Sequence, residues 1–237
     1  MNSTLCTICM RGGSQGVKNK NYRLINGKPL MYYTIKQAVK SKLFENIVVS
    51  TDSKKILRYA KSYGAEGWFL RPKKLASNLS PKIPVIKHVL RESEIYYKKK
   101  YDYIVDLDVT SPLRKIDDIT KAFKFFLKKN ADILITGARS KKNPYFNVVE
   151  KKNGKIKKVL GSEKKISRRQ DAPITYDMNA SIYIWKRNIL LNSKSVYGSK
   201  TVLYEMPESR SIDIDSELDF KIVNFLLKDK NKKNNKK

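Results

Sequence analysis

Up to about residue 138 the apolar positions fall into two alternating rhythms. Short β-rich runs, LCTIC from Leu5, NIVVS from Asn46, EGWFL from Glu66, YIVDLD from Tyr103 and ADILITGA from Ala131, punctuate the chain. Between them apolar residues recur every three or four positions, which predicts helices over about 30–40, 54–63, 83–97 and 116–127. Strand and helix in strict alternation imply βαβ crossovers, so the reading is an α/β fold with a mostly parallel sheet covered on both faces. Ligands then bind beyond the carboxyl ends of the strands.

After Ala138 the rhythm changes. The stretch RSKKNPYFNVVEKKNGKIKKVLGSEKKISRRQ is basic and alternating, and Asn153-Gly154 suits a tight hairpin turn between NVVE and KIKKVL. It reads as an excursion from the sheet over about 139–175, a protruding dimerisation arm. The chain returns with ASIYIW, a short TVLYEM run and a helix over about 216–227. One domain therefore spans 1–227, and the apolar-free tail 228–237 (KDKNKKNNKK) is expected to be disordered and solubilising.

Composition narrows the class. With 237 residues, 41% of them hydrophobic, the chain can bury a real core and is neither a disulfide-stapled mini-protein nor a disordered polyelectrolyte. No long apolar run and no signal-peptide pattern occurs, so a soluble, cytoplasmic protein with no membrane partner is expected. Cys6 and Cys9 lie three apart on one strand and point to opposite faces, which argues for buried structural thiols and against a mutual disulfide. The lone histidine, His88, has no companion ligands for zinc and reads as a surface or boundary residue, while Trp68 and Trp185 read as core. A charge of +29, from 51 Lys and Arg against 22 Asp and Glu, suggests an anionic partner. The lysines are spread over nearly every segment and no nucleic-acid-binding module signature accompanies them, so an RNA-associated protein is the rival and no nucleic-acid partner is expected.

The loop after the first strand carries the chemistry. In MRGGSQGVKNKN, Gly12, Gly13 and Gly16 can adopt backbone angles closed to other residues and let peptide N–H groups approach an anion, with Arg11, Lys18 and Lys20 around them. The pattern is a polyphosphate cradle, and neither a Walker A sequence nor G-x-G-x-x-G.

RGGSQGVKNKN, GKPL, VVSTDS, RPKKLAS, TSPLR and SIDIDSELD occur in this order. Together they resemble the acylneuraminate cytidylyltransferases, the CMP-sialic acid synthetases, over Thr4 to about Leu227. That resemblance implies a three-layer αβα Rossmann-like nucleotidyltransferase fold, a homodimer, and transfer of CMP from CTP to the anomeric C2 hydroxyl of a nine-carbon 2-keto sugar acid. It places Arg11, Ser14, Lys20 and Asn21 on the triphosphate, with Lys20 at the α-phosphate and Arg11 on the departing pyrophosphate. It places Arg71, Ala76 and Ser77 around cytosine and ribose, and Asp213 and Asp215 on Mg²⁺. An extended IDID segment does turn both carboxylates to one side, and Mg²⁺ takes one or two carboxylates with phosphate oxygens and water. Asp215, or a metal-bound hydroxyl, is the first candidate for a general base.

Three departures bear on the sugar. Asp108 stands where many sialic acid enzymes carry glutamine, Asp177 replaces a family arginine, and Gln15 replaces a loop lysine, a contact Lys18 could supply instead. Asp108, Thr110, Ser111, Arg169, Gln170, Asn179 and Tyr183 are the expected sugar contacts, and Asp106 shares the strand face of Asp108. The combination CTIC, KNKN, DLDVTSPLR, NPYFN and YDMNASIYI is similar to the branch acting on N,N'-diacetyllegionaminic acid. N-acetylneuraminate, pseudaminate and the eight-carbon acid Kdo are the alternatives.

Overall fold

The computed structural model describes residues 3–14, 16–160 and 168–234, with backbone alone at 169 and 230–234. Its strands are β1 (Thr4–Cys9), β2 (Leu24–Ile25), β3 (Lys28–Pro29), β4 (Asn46–Ser50), β5 (Tyr103–Leu107), β6 (Ile133–Arg139), β7 (Val149–Lys152), β8 (Lys155–Lys158), β9 (Tyr176–Met178), β10 (Ile182–Lys186) and β11 (Thr201–Glu205). Its helices are α1 (Leu30–Ser41), α2 (Lys54–Ser62), α3 (Lys82–Tyr97), α4 (Ile116–Lys128), α5 (Arg187–Asn192) and α6 (Glu217–Asn234). No helix among the described residues is long and apolar enough to cross a membrane.

The central sheet runs β11-β6-β10-β5-β1-β4, with β9 paired to β6. Pairing is parallel except around β10 and β9, which run antiparallel to their neighbours. Alternation along each strand divides the core between two faces. Cys6, Ile8, Val105 and Leu107 pack with α1, α2, α4 and α6 on one side. Leu5, Ile104, Tyr183 and Trp185 pack with α3 and α5 on the other. The three-layer αβα architecture follows from that two-sided burial.

Several elements depart from the sequence reading, while Trp185 in the core and His88 at its boundary agree with it. EGWFL forms only a bridge from Glu66 to Val48, and Trp68, half-buried and stacked on Tyr96, packs against the edge of the core. Trp185 is fully buried. His88 is half-buried, edge-on to Phe69, and burial lowers its pKa. Cys6 is buried but Cys9 is only half-buried, at the mouth of a cleft. α6 does not stop at Leu227 but runs on through Asn234 into the expected disordered tail. Lys, Asp and Asn include no helix breaker, and lysines in a last turn favour the helix dipole. Residues 235–237 lie outside the described residues.

The chain leaves the sheet after Arg139 and rejoins it at Tyr176, directly opposite in register. Between these points β7 and β8 form a two-stranded ribbon turning at Asn153 and Gly154, both at positive φ. Every residue of both strands is exposed. Residues 161–167 of this excursion lie outside the described residues.

Candidate active site

The loop after β1 and the segment 213–215 meet over the strand ends. Ile214 is fully buried, its N–H donates to Thr110 O at 3.0 Å, and its carbonyl accepts from Lys20 Nζ at 2.6 Å. Anchoring the middle residue leaves Asp213 and Asp215 flanking it. Lys20 Nζ lies 3.3 Å from Asp215 Oδ1, and Ser111 Oγ donates to Asp213 Oδ1. Arg210 steadies the approach to this segment with a bidentate pair to Asp118 on α4, at 2.8 and 2.7 Å.

Gly16 explains one glycine of the loop. A Cβ there would stand 1.9 Å from the carbonyl oxygen of Asp215. Gly12, Gly13 and Gly16 are not at positive φ, contrary to the expected use of their freedom; Asn19 supplies the left-handed residue at φ 59°. The glycine is needed for close approach between two segments.

Within the loop, Asn21 Nδ2 donates to Arg11 O at 2.8 Å, and Arg11 Nη1 donates to Asn78 Oδ1. The Gly12 N–H donates to Asp52 Oδ1 at 2.7 Å. Arg11, Gly13, Ser14, Lys20, Asn21, Asp108 and Thr110 line one cleft with Cys9, Met10 and Val109, of about 140 Å³. Arg71 is buried, with Nε 3.0 Å from Ser50 Oγ and Nη2 2.6 Å from Ser50 O, so it braces the end of β4. Ala76 closes the turn after it, and Ser77 Oγ pairs with Ser80 Oγ at 2.8 Å. The Arg11 to Asn78 contact joins this segment to the phosphate loop. Gln15 lies outside the described residues.

On the α3 face of the sheet, Asp106 and Asp108 share a cation that the sequence reading missed. Lys82 Nζ stands 2.9 Å from Asp106 Oδ2 and 2.8 Å from Asp108 Oδ2, and 4.6 Å from the centre of the Tyr183 ring. Asp106 is 1% exposed and also accepts from Thr7 Oγ1 at 2.7 Å. Asp108 Oδ1 accepts from Thr110 N and Oγ1 at 3.1 and 3.0 Å. Burial opposes ionisation of Asp108, but Lys82 and the Thr110 bonds outweigh it and hold its carboxyl down at about 2. Asp213 goes the other way: burial, with Asp108 and Asp215 nearby, pushes it up to about 7 despite the bond from Ser111.

Arg114 was also missed. Buried beneath the site, it donates to Ser181 O at 2.6 Å, Thr34 Oγ1 at 3.0 Å and Asp108 O at 3.3 Å. Burial pulls its guanidinium down to about 10 while Asp108 nearby works against that fall, so it remains charged at neutral pH. Its sequence signal is TSPLR, a motif that by itself does not give the arginine a role.

The remaining expected sugar contacts do not line this cleft. Asn179 is 3% exposed and its amide faces the protein, accepting from Thr136 Oγ1 at 2.7 Å and donating to Ser211 Oγ at 2.9 Å. It fixes the backbone below Ser111 and is not open to a ligand. Gln170 lines a separate cavity of about 530 Å³ with Arg139, Ser140, Asn143 and the 172–175 segment, sharing no residue with the phosphate cleft. Arg169 begins the short turn beside it. Tyr183 is buried and stacks on Trp185.

The chain matches the family model described as cytidylyltransferase over residues 5–233. It belongs to the cytidylyltransferase family. The cytidylyltransferase is thus a CTP-dependent nucleotidyltransferase. It is 50% identical over 98% of its length, and 97% of the relative's, to a Campylobacter jejuni protein named CMP-N,N'-diacetyllegionaminic acid synthase. It is 51% identical, with the same coverage, to a Campylobacter coli protein named post-translational flagellin modification protein B. Identity to the Escherichia coli N-acylneuraminate cytidylyltransferase is 30% over 96% of this chain and 53% of that protein. The fold matches a CMP:2-keto-3-deoxy-manno-octonic acid synthetase solved with CTP, at TM-score 0.70 and 14% identity over 97% of this chain and all of that one.

Two outcomes follow from this geometry. Gly16→Ala is expected to weaken CTP binding at least about tenfold in calorimetric titration, because the loop must move off Asp215; unchanged affinity would show that the contact does not shape the cleft. Asp108, with its folded-state pKa below the unfolded value, contributes stability at neutral pH that is lost as pH falls through about 4 towards 2. Urea denaturation should show Asp108→Asn about 2 kcal/mol less stable than the parent at pH 7, the gap closing near pH 2.

Proposed function

We propose that this cytidylyltransferase transfers CMP from CTP to the C2 hydroxyl of a nonulosonic acid, N,N'-diacetyllegionaminic acid first among them, releasing pyrophosphate. The observation that carries the reading is the meeting of the glycine loop with the 213–215 carboxylates, Lys20 spanning the two. A cation that lines the loop cleft and touches the segment carrying two carboxylates suits nucleotidyl transfer, which depends on positioning and charge neutralisation.

In this reading the nucleotide replaces protein partners already in place. The phosphates take over the Gly12 N–H from Asp52 and the Arg11 guanidinium from Asn78, while Lys20 turns from Asp215 to the α-phosphate. Arg11 steadies the departing pyrophosphate. Arg71, Ala76 and Ser77 shape the base and ribose end. In this reading the sugar hydroxyl attacks the α-phosphorus in line, and Asp215, the exposed carboxylate of the two, takes its proton.

Among the described residues no cluster of three or more His, Cys, Asp or Glu side chains forms a metal cage. Mg²⁺ does not need one, since phosphates and water complete its shell. Two carboxylates on one short segment, Asp213 bonded by Ser111 and Asp215 beside Lys20, are oxygen donors of the kind such an ion takes. Asp213 and Asp215 would hold Mg²⁺, which supplies neutralisation of phosphate charge when bound.

The sugar assignment rests on the half-identical relative named for diacetyllegionaminic acid and on Asp108, an acceptor suited to an amide or hydroxyl donor. A homodimer is part of the proposal. A bare two-stranded ribbon is marginal in water, and β7 and β8 expose Val149 and Ile156 with Val159 and Leu160 beside them, a surface a second copy would cover. The cytoplasm, which supplies CTP, is the expected location.

Incubation with CTP, Mg²⁺ and a panel of nonulosonic acids, followed by pyrophosphate release, tests the reading. Turnover with diacetyllegionaminic acid well above N-acetylneuraminic acid, pseudaminic acid and Kdo is expected, and a preference for one of the others would overturn the sugar assignment. Lys20→Ala and Asp213→Asn should each lower kcat/KM by about 10²–10³-fold without loss of fold; parent-like rates would remove those residues from the machinery.

A further inference from the structure

Lys82 belongs to no motif that marks the phosphate or metal site, yet it occupies the centre of the sugar-side electrostatics. It opens α3, and its ammonium reaches 2.9 Å from Asp106 and 2.8 Å from Asp108, over the face of Tyr183. Its side chain is 28% exposed, and its partner Asp108 lines the phosphate cleft.

The acceptor capacity of Asp108 limits what it can do. A carboxylate offers about four acceptor positions. Thr110 N and Oγ1 occupy two on Oδ1, and Lys82 occupies one on Oδ2. One position remains for a donor entering from the cleft. The side chain is fixed by three partners, so that position has a defined direction.

Charge sets the second limit. A 2-keto sugar acid arrives as an anion next to a triphosphate, and a bare aspartate would repel both. Asp106 is buried and cannot relax into water, so two carboxylates without a cation would leave a strongly negative wall. Lys82 serves both with one ammonium. We infer that Lys82 is a specificity-setting positioning residue, which orients Asp108 and offsets part of the charge of the acid pair so that this aspartate can accept a single N–H or O–H bond from an anionic sugar acid.

This inference rests on the proposed nonulosonate activity, and its test separates the two. Lys82→Met alone strands a buried carboxylate and risks the fold, so the informative variant is Lys82→Met combined with Asp106→Asn. That pair keeps the net charge of the cluster and keeps an oxygen for Thr7 Oγ1. Steady-state kinetics with diacetyllegionaminic acid should show KM for the sugar acid raised at least tenfold, KM for CTP within twofold, and a thermal midpoint close to the parent. Lys82→Arg should recover part of the sugar KM, because a guanidinium can still span two carboxylates. A parent-like sugar KM in the charge-balanced variant, or equal increases in both KM values, would overturn the role of Lys82. Absence of turnover by the parent protein on every nonulosonic acid would overturn the activity itself.

Discussion

The site depends on one backbone crossing. Ile214 is driven under the strand ends by its apolar side chain, and both of its backbone groups are then satisfied, the N–H by Thr110 O and the carbonyl by Lys20. A buried peptide without those partners would cost about 1–3 kcal/mol per group. Satisfying them ties α4's preceding loop, the glycine loop and the approach to α6 into one unit. Two-residue alternation then leaves no choice about Asp213 and Asp215, which must flank the anchored residue. Close approach of Gly16 to Asp215 O is the same constraint seen from the other segment.

Around that crossing the molecule reverses its overall electrostatics. A chain with a net charge of +29 gathers Asp106, Asp108, Asp213 and Asp215 at one end of its sheet. The general basic field attracts an anionic nucleotide, while the local acids set where it can rest and where a cation is required. The two central carboxylates diverge accordingly. Asp108, paired with Lys82, is held ionised, whereas Asp213, buried with only Ser111 donating to it, is the group whose charge is least compensated. The contrast comes from partners, since both are substantially shielded from water.

Much of this was legible because strand and helix periods differ so clearly. Four of the five β-rich runs before residue 138 and the helices between them are positioned by alternation alone, EGWFL being the exception, and Asn153-Gly154 specified its turn through the need for positive φ. The antiparallel insertion of β10 between β5 and β6 was not readable, because an apolar strand buried on both faces looks the same in either direction. Asn179 sat in a motif and was assigned to the sugar, but a motif does not reveal that an amide is spent on Thr136 and Ser211. Lys82 was invisible for the opposite reason: one lysine among many, it gains meaning only when α3 is laid across β5.

That placement has its own logic. Thr7, Asp106 and Tyr183 stand side by side in register across β1, β5 and β10, all on the face covered by α3. Extending the same face one alternation along β5 brings Asp108 to the strand end. A carboxylate on a covered face is tolerated only where the covering layer brings compensation. Here the start of α3 brings the Lys82 ammonium against the two acids. The helix that completes the core on this side thereby also fixes the charge state of the strand end. An acidic residue at position 108 and a cation at position 82 are one structural decision, made in two segments that the sequence keeps 26 residues apart.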